Sequence, residues 1–179
     1  MCIRDRSGTP RPGRGRPGYT RDEVIAEAID EFLDRGYEAT SMGSLAQRLG
    51  VSKSAIYHHV SSKEQLLEEA TTVALDALSS VVDQAQGLDG GIEHKLRFLI
   101  DGAVKVLGER QAEISLLLRL RGNSDVEKRA LDRRRAITGT MVELVAEGQE
   151  AGVIRSDILP GVAARLIFGV VNSMVDWYQ

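Results

Sequence analysis

Between positions 40 and 63 the chain reads TSMGSLAQRLGVSKSAIYHHVSSK. Its hydroxyls, amines, phenol and imidazoles suit non-covalent recognition of a polyanion. Thr40 and Ser41 open one short segment, Lys53, Ser54, Ala55, Tyr57 and His58 lie on the outer side of a second, and His59 and Lys63 follow. Small side chains at Ser54 and Ala55 let a helix backbone approach the floor of the DNA major groove, where base edges can be told apart. Covalent chemistry lacks its parts. The sequence has no GxxxxGK phosphate loop, no HExxH pair and no Cys–His grouping, so an enzyme is not expected. His58 and His59 point in different directions on a helix and only His94 stands elsewhere, so neither a metal site nor a cofactor is expected.

Those side chains need elements to hold them. Leu45, Ala46 and Leu49 give residues 41–49 one apolar face, and Gly50 turns the chain. Ser52 can cap a second short helix running to His59, with Ile56 inward. A bulky residue at Ala46 would push the second helix off the first. Both brace on a longer helix over 21–35, where Thr20 and Glu23 form a capping box and Val24, Ile25, Ala28, Ile29, Phe32 and Leu33 form one face. Two short helices joined at a glycine meet the demands of a helix-turn-helix. A helical scaffold without DNA binding is the rival reading, and it leaves the outward Lys53, Tyr57, His58 and Lys63 unexplained.

The remaining segments all have helical spacing, and none shows sustained strand alternation, so the fold class is all-α. Ser61 and Glu64 form a second capping box, opening a long helix that presents Leu66, Ala70, Val73, Ala77, Val81 and Ala85. Gly87, Gly90 and Gly91 break it. Residues 92–107 form another helix, a short one follows to about 120, and Ser124 with Glu127 caps one running to about 148. Pro160 suits the first turn of a last helix. That helix carries Val162, Ala163, Leu166, Ile167, Val170, Val171, Met174 and Val175 around most of its circumference, which points to a homodimer interface or else to a central core helix.

Composition fits a globular chain of 179 residues, 42% hydrophobic and 27% charged. No apolar run nears the ~20 residues of a membrane span, and the single cysteine, Cys2, excludes an internal disulfide, so a cytoplasmic protein is expected. The net charge is −3, but residues 1–21 carry six arginines and one acid. Attraction to phosphate depends on that local charge. Arg14-Gly15-Arg16-Pro17 resembles the core of an AT-hook, in which Arg14 and Arg16 would enter a narrow A·T-rich minor groove; general phosphate attraction is the alternative.

The segment from about 19 to 67 resembles the DNA-binding domain of the TetR family of bacterial regulators. Gly36-Tyr37, Thr40-Ser41, Leu45-Ala46, Gly50-Val51-Ser52, Tyr57-His58-His59-Val60 and Lys63-Glu64 carry the resemblance. Val60 departs from it, since many members have phenylalanine there. The resemblance implies that Thr40, Ser41 and Lys63 bind phosphate and that Lys53, Ser54 and Ala55 face base edges. Tyr57, His58 and His59 would touch backbone or bases. It also implies a flexible basic arm over 1–18, a DNA-binding domain over 19–79 and a helical ligand-binding and dimerisation domain over 80–179, joined by a long helix. A dimer would place two recognition helices ~34–36 Å apart on a near-palindromic operator. A small-molecule effector would release the DNA.

Residues 152–157, GVIRSD, resemble the loop before the family's penultimate helix, and Trp177-Tyr178 sits where related chains carry their dimer helix onward, which implies a missing C-terminal tail. Leu116–Asn123 and Arg133-Arg134-Arg135 resemble acyl-CoA-responsive repressors of the phenylacetate-pathway type. Leu117, Arg119, Arg121 and Arg134 would then line a pocket for a ligand with a greasy end and an anionic one. The alternative is that these arginines pair on the surface with Asp125, Glu127 and Asp132.

Overall fold

A computed structural model describes residues 19–177, and among them every regular element is an α-helix. The eight are α1 (Arg21–Arg35), α2 (Met42–Leu49), α3 (Lys53–Tyr57), α4 (Lys63–Gly87), α5 (Ile92–Glu109), α6 (Gln111–Arg119), α7 (Asp125–Glu150) and α8 (Pro160–Trp177). Cys2, Arg14 and Arg16 lie outside the described residues, as does Tyr178.

Helix α1 begins and ends where its local chemistry dictates. The Thr20 hydroxyl accepts the Glu23 N–H, the Glu23 carboxylate accepts the Thr20 N–H, and Gly36 follows the last turn at φ +87°. Its Val24, Ala28 and Phe32 are buried against Leu45, Ala46 and Leu49 of α2, Ile56 of α3, and Leu66, Leu67 and Ala70 of α4. This apolar cluster, which continues into the helices beyond, fixes the first three helices on the start of the fourth.

Two expected caps shift. Ser62, not Ser61, caps α4 by accepting the Gln65 N–H at 3.1 Å, while the Gln65 side-chain oxygen accepts both the Ser61 N–H and the Ser61 hydroxyl at 2.7 Å. At α7 only half of the expected box forms. Ser124 accepts the Glu127 N–H at 3.2 Å, but the Glu127 carboxylate turns back to the preceding loop. Its Oε2 takes the main-chain N–H groups of Arg121 (3.1 Å), Gly122 (2.6 Å) and Asn123 (2.9 Å).

Helix α4 runs unbroken through the expected domain boundary at 79/80 and contacts α1, α5, α6 and α7. Coverage from several sides explains why its buried set differs from a single stripe. Leu67, Thr71, Ala74, Leu75 and Val82 are enclosed, while Val73 is exposed. Against α4, Gly102 of α5 is packed so closely that a Cβ there would stand 2.4 Å from Cγ1 of Val81. Ion pairs Arg129–Glu68 (3.0 Å) and Arg133–Asp76 (2.5 Å) tie α7 to the outer face of the same helix. Helix α8 buries Ala163, Ala164 and Val171 but leaves Leu166 60% and Val170 70% exposed. Neither expectation for this helix describes the monomer fully: one face is core, and the other is an apolar stripe in solvent.

Candidate nucleic-acid interface and effector cavity

The α2–turn–α3 unit is built from three local devices. Ser41 caps α2 through the Ser44 N–H at 3.0 Å, and Gly50 ends it in the left-handed conformation at φ +66°. Ser52 then caps α3 through the Ala55 N–H at 3.2 Å. Across the unit, Arg48 of α2 spans four carboxylates of α1: Glu27 at 3.1 Å, Asp30 at 4.0 Å, Glu31 at 3.1 Å and Asp34 at 2.8 Å. Asp34, Glu27 and Glu31 raise the guanidinium pKa, Asp34 first. Sequence reasoning missed Arg48, although its carboxylate partners recur along α1 at the spacing of successive turns.

Outward from this brace, Lys53, Ser54, Tyr57 and His58 are exposed, while Ala55 and His59 are half-buried. Tyr57 is 51% exposed despite its large apolar ring, on a face that no part of the described chain covers. Helix α3 is shorter than expected. It ends at Tyr57, with His58 as its C-cap, because Val60 turns inward to the core. The end of the Lys53 side chain lies against Gly43, where a Cβ would meet its Cε at 2.8 Å and its Nζ at 3.2 Å. Gly43 thus leaves room for an ammonium between the first turns of α2 and α3. A glycine inside a helix costs about 1 kcal/mol relative to alanine, and that cost was the signal that could have marked it.

Two expected phosphate contacts are placed differently. Thr40 is only 3% exposed, and its hydroxyl donates to the Gly36 carbonyl at 3.0 Å, so it fastens the α1–α2 turn. Lys63 donates Nζ to the Tyr37 carbonyl at 2.9 Å and sits 4.2 Å from the centre of the Tyr37 ring. Its charge is directed to the turn, because α4 begins one residue later than the Ser61 box would have it. The Tyr37 ring also packs edge-on against Phe32, with centroids 5.3 Å apart. Burial, followed by the charges of Glu64 and Glu38, pushes its phenol up to about 12.

A second site lies in the helical body. A cavity of about 450 Å³ is lined by Leu107, Leu117, Ile137 and Phe168, together with Arg134 and Arg165. Its lining contains no Asp or Glu. Arg134 donates Nη1 to the Leu117 carbonyl at 3.1 Å and pairs with no carboxylate among the described residues. Its pKa is lowered by burial and then by the neighbouring charge of Arg135. The two expectations for the Arg133–Arg135 run therefore divide by position. Arg133 and Arg135 form surface ion pairs with Asp76 and Asp132, and Arg134 faces the cavity. Leu117 is also in the lining, but Arg119 and Arg121 are not, because the end of α6 carries them toward α1. Arg119 donates Nη1 to the Leu33 carbonyl at 2.6 Å. Among the described residues, no group of three or more His, Cys, Asp or Glu could hold a metal ion, and no helix is long and apolar enough to cross a membrane.

A braced helix pair with one open polar face, joined by a continuous helix to a hollow helical body, defines a one-chain helix-turn-helix regulator. Residues 24–70 match the family model for bacterial regulatory proteins of the tetR family, and residues 89–179 match that for the tetracyclin repressor-like C-terminal domain. The chain belongs to the TetR family of DNA-binding transcriptional regulators. It is 28% identical over 171 residues to the HTH-type transcriptional repressor KstR2 of Mycolicibacterium smegmatis, covering 92% of this chain and 82% of that one. Over 104 residues it is 36% identical to the transcriptional activator FasR of the same organism, covering 54% of this chain and 48% of FasR. A TetR regulator from Streptomyces coelicolor superimposes with a TM-score of 0.83 at 38% identity, covering 87% of this chain and 78% of that one. The structure of AibR in complex with isovaleryl coenzyme A and operator DNA shares the fold, with a TM-score of 0.73 at 23% identity and coverage of 89% and 87%.

Proposed function

We propose that this regulator is a homodimeric repressor that leaves its operator when an amphipathic anion, an acyl-CoA thioester, enters the helical body. The observation that carries the reading is the cavity itself, with apolar walls, two arginines and no carboxylate. The half-buried Arg134 guanidinium has no anionic partner among the described residues, and a ligand with a greasy body and a negative group supplies one. That AibR has been captured with isovaleryl coenzyme A and DNA supports a thioester in a body of this fold. The exposed Leu166–Val170 stripe of α8 supports pairing with a second copy.

In this reading Tyr57 and Lys53 contact the operator, with Ser41, Ser54, Ala55, His58 and His59 around them. Lys63 and Thr40 hold the turn from behind. Residues 19–79 form the DNA-binding unit and 80–179 the effector and dimer unit. Arg14 and Arg16 supply a basic arm for the neighbouring minor groove.

The test begins with a duplex selected from a random pool by the full chain. Fluorescence anisotropy should show release by dodecanoyl-CoA but not by free coenzyme A. Tyr57→Ala should weaken the selected duplex by at least about tenfold, roughly 1.4 kcal/mol, and random DNA by much less. Equal losses on both duplexes would remove Tyr57 from sequence readout, and indifference to every acyl-CoA would remove the effector class.

A further inference from the structure

Two arginine–carbonyl bonds lie in series between the cavity and the DNA-binding helices, and they share one short helix. The first is inside the cavity, where Arg134 of α7 donates to the Leu117 carbonyl in the last turn of α6. The second leaves from the end of that turn. Arg119, the last residue of α6, donates to the Leu33 carbonyl in the last turn of α1. Both are cations on the open carbonyls at a helix C-terminus, where the helix dipole adds to the hydrogen bond. The α6 end is thus capped by one arginine and caps the next helix with another.

The loop after α6 gives this arrangement stiffness. Arg121, Gly122 and Asn123 are fastened to α7 through the Glu127 carboxylate. A displacement of Leu117–Arg119 therefore has little slack to disappear into on its far side. Besides α4, α5 and α8, α6 packs on α1, whose Val24, Ala28 and Phe32 form the base on which α2 and α3 rest.

We infer that Arg134 and Arg119 form a relay. An anion in the cavity draws Arg134 from the Leu117 carbonyl, the α6 end loses its cap, and Arg119 loses its grip on the end of α1. This rests on the effector reading above and extends it to a route. The ligand needs no contact with the DNA-binding unit, because the cation it recruits is already the clamp on the connecting helix. The energy comes from the ligand's preference for a free Arg134, as any effector must act through differential affinity for the two states.

A double-mutant cycle on the full-length protein tests the relay without any ligand. Arg134→Met, Arg119→Gln and the double variant are compared for binding to the duplex selected by the parent. The two side chains bond to different carbonyls on α6 and share no partner, so independent contributions should multiply. The relay predicts that each single change weakens binding about tenfold and that the double is no worse than either single. A product near a hundredfold, or a single change without effect, overturns it.

Hydrogen exchange on Arg134→Met supplies the second readout. Amides at Arg35 and Gly36 should exchange faster, while those at the start of α1 keep the parental rate. Uniform acceleration across all helices would mean general loosening and would equally overturn the relay. Failure of the parent to select any duplex would instead strike at the DNA-binding assignments themselves.

Discussion

Replacing Glu127 by alanine should lower the melting temperature by about 6–12 °C, and the structure supplies the reasoning. The residue is 3% exposed, and one carboxylate oxygen accepts three main-chain N–H groups from the α6–α7 turn. Gly122, at φ +85°, lets those three amides converge on a single point. Alanine leaves them without an acceptor. A buried donor deprived of its partner costs about 1–3 kcal/mol. Arg121 and Asn123 are exposed at their side chains, so water recovers part of the loss. The sum is then about 3 kcal/mol, the size of two ordinary losses. For a chain of this length each kcal/mol moves the midpoint by about 2–4 °C. Glu127→Gln keeps an acceptor oxygen and loses the charge, so it should fall about halfway. The assay is circular dichroism melting at one fixed protein concentration, since the proposed dimerisation would make the midpoint concentration-dependent. If alanine melted within about 2 °C of the parent, the convergent turn would contribute nothing that water could not replace.

Three further outcomes follow from other parts of the molecule. Gly102→Ala drives a methyl to within 2.4 Å of Val81, and overpacking of this kind costs about 1–3 kcal/mol; a urea midpoint equal to the parent's would show that α4 and α5 separate freely. Tyr37 should ionise only near pH 12, as read by phenolate absorbance against Tyr37→Phe. Because its folded pKa lies above the unfolded value near 10, its contribution to stability is complete below pH 10 and lost as pH rises toward 12. Unfolding curves with no such decline, relative to the phenylalanine variant, would contradict its burial. Leu166→Asp with Val170→Asp should convert the proposed dimer to monomer in analytical ultracentrifugation, because two unpaired carboxylates would have to be buried in an apolar seam; an unchanged sedimentation coefficient would move the dimer interface elsewhere.

What could be read along the chain was what neighbours in sequence decide. Helix α1 occupies the expected span because Thr20, Glu23 and Gly36 fix its ends within a few residues of themselves. Gly50 and Ser52 likewise set the turn into α3 by their own backbone conformation and capping. The outward set on α3 followed from Ile56 alone, since one inward residue on a short helix orients the rest. The Ser61 box failed by one position because two pairs of the same spacing, Ser61 with Glu64 and Ser62 with Gln65, compete there, and local pattern does not rank them.

Tertiary packing decided the rest. Consecutive residues on a helix point about 100° apart, so among Arg133, Arg134 and Arg135 only one could face the cavity. Which one depended on how α7 lies against α4 and α8. Thr40 and Lys63 are polar residues at positions that read as surface, yet Gly36 and Tyr37 bring carbonyls to them from the end of another helix. Arg119 reaches a carbonyl 86 positions away. No periodicity within either segment encodes that distance. The sequence set the helices and their faces, because those depend on short-range sterics and hydrogen bonds. The partners of its isolated charges depended on which helix ends meet, and only the packed chain brings those ends together.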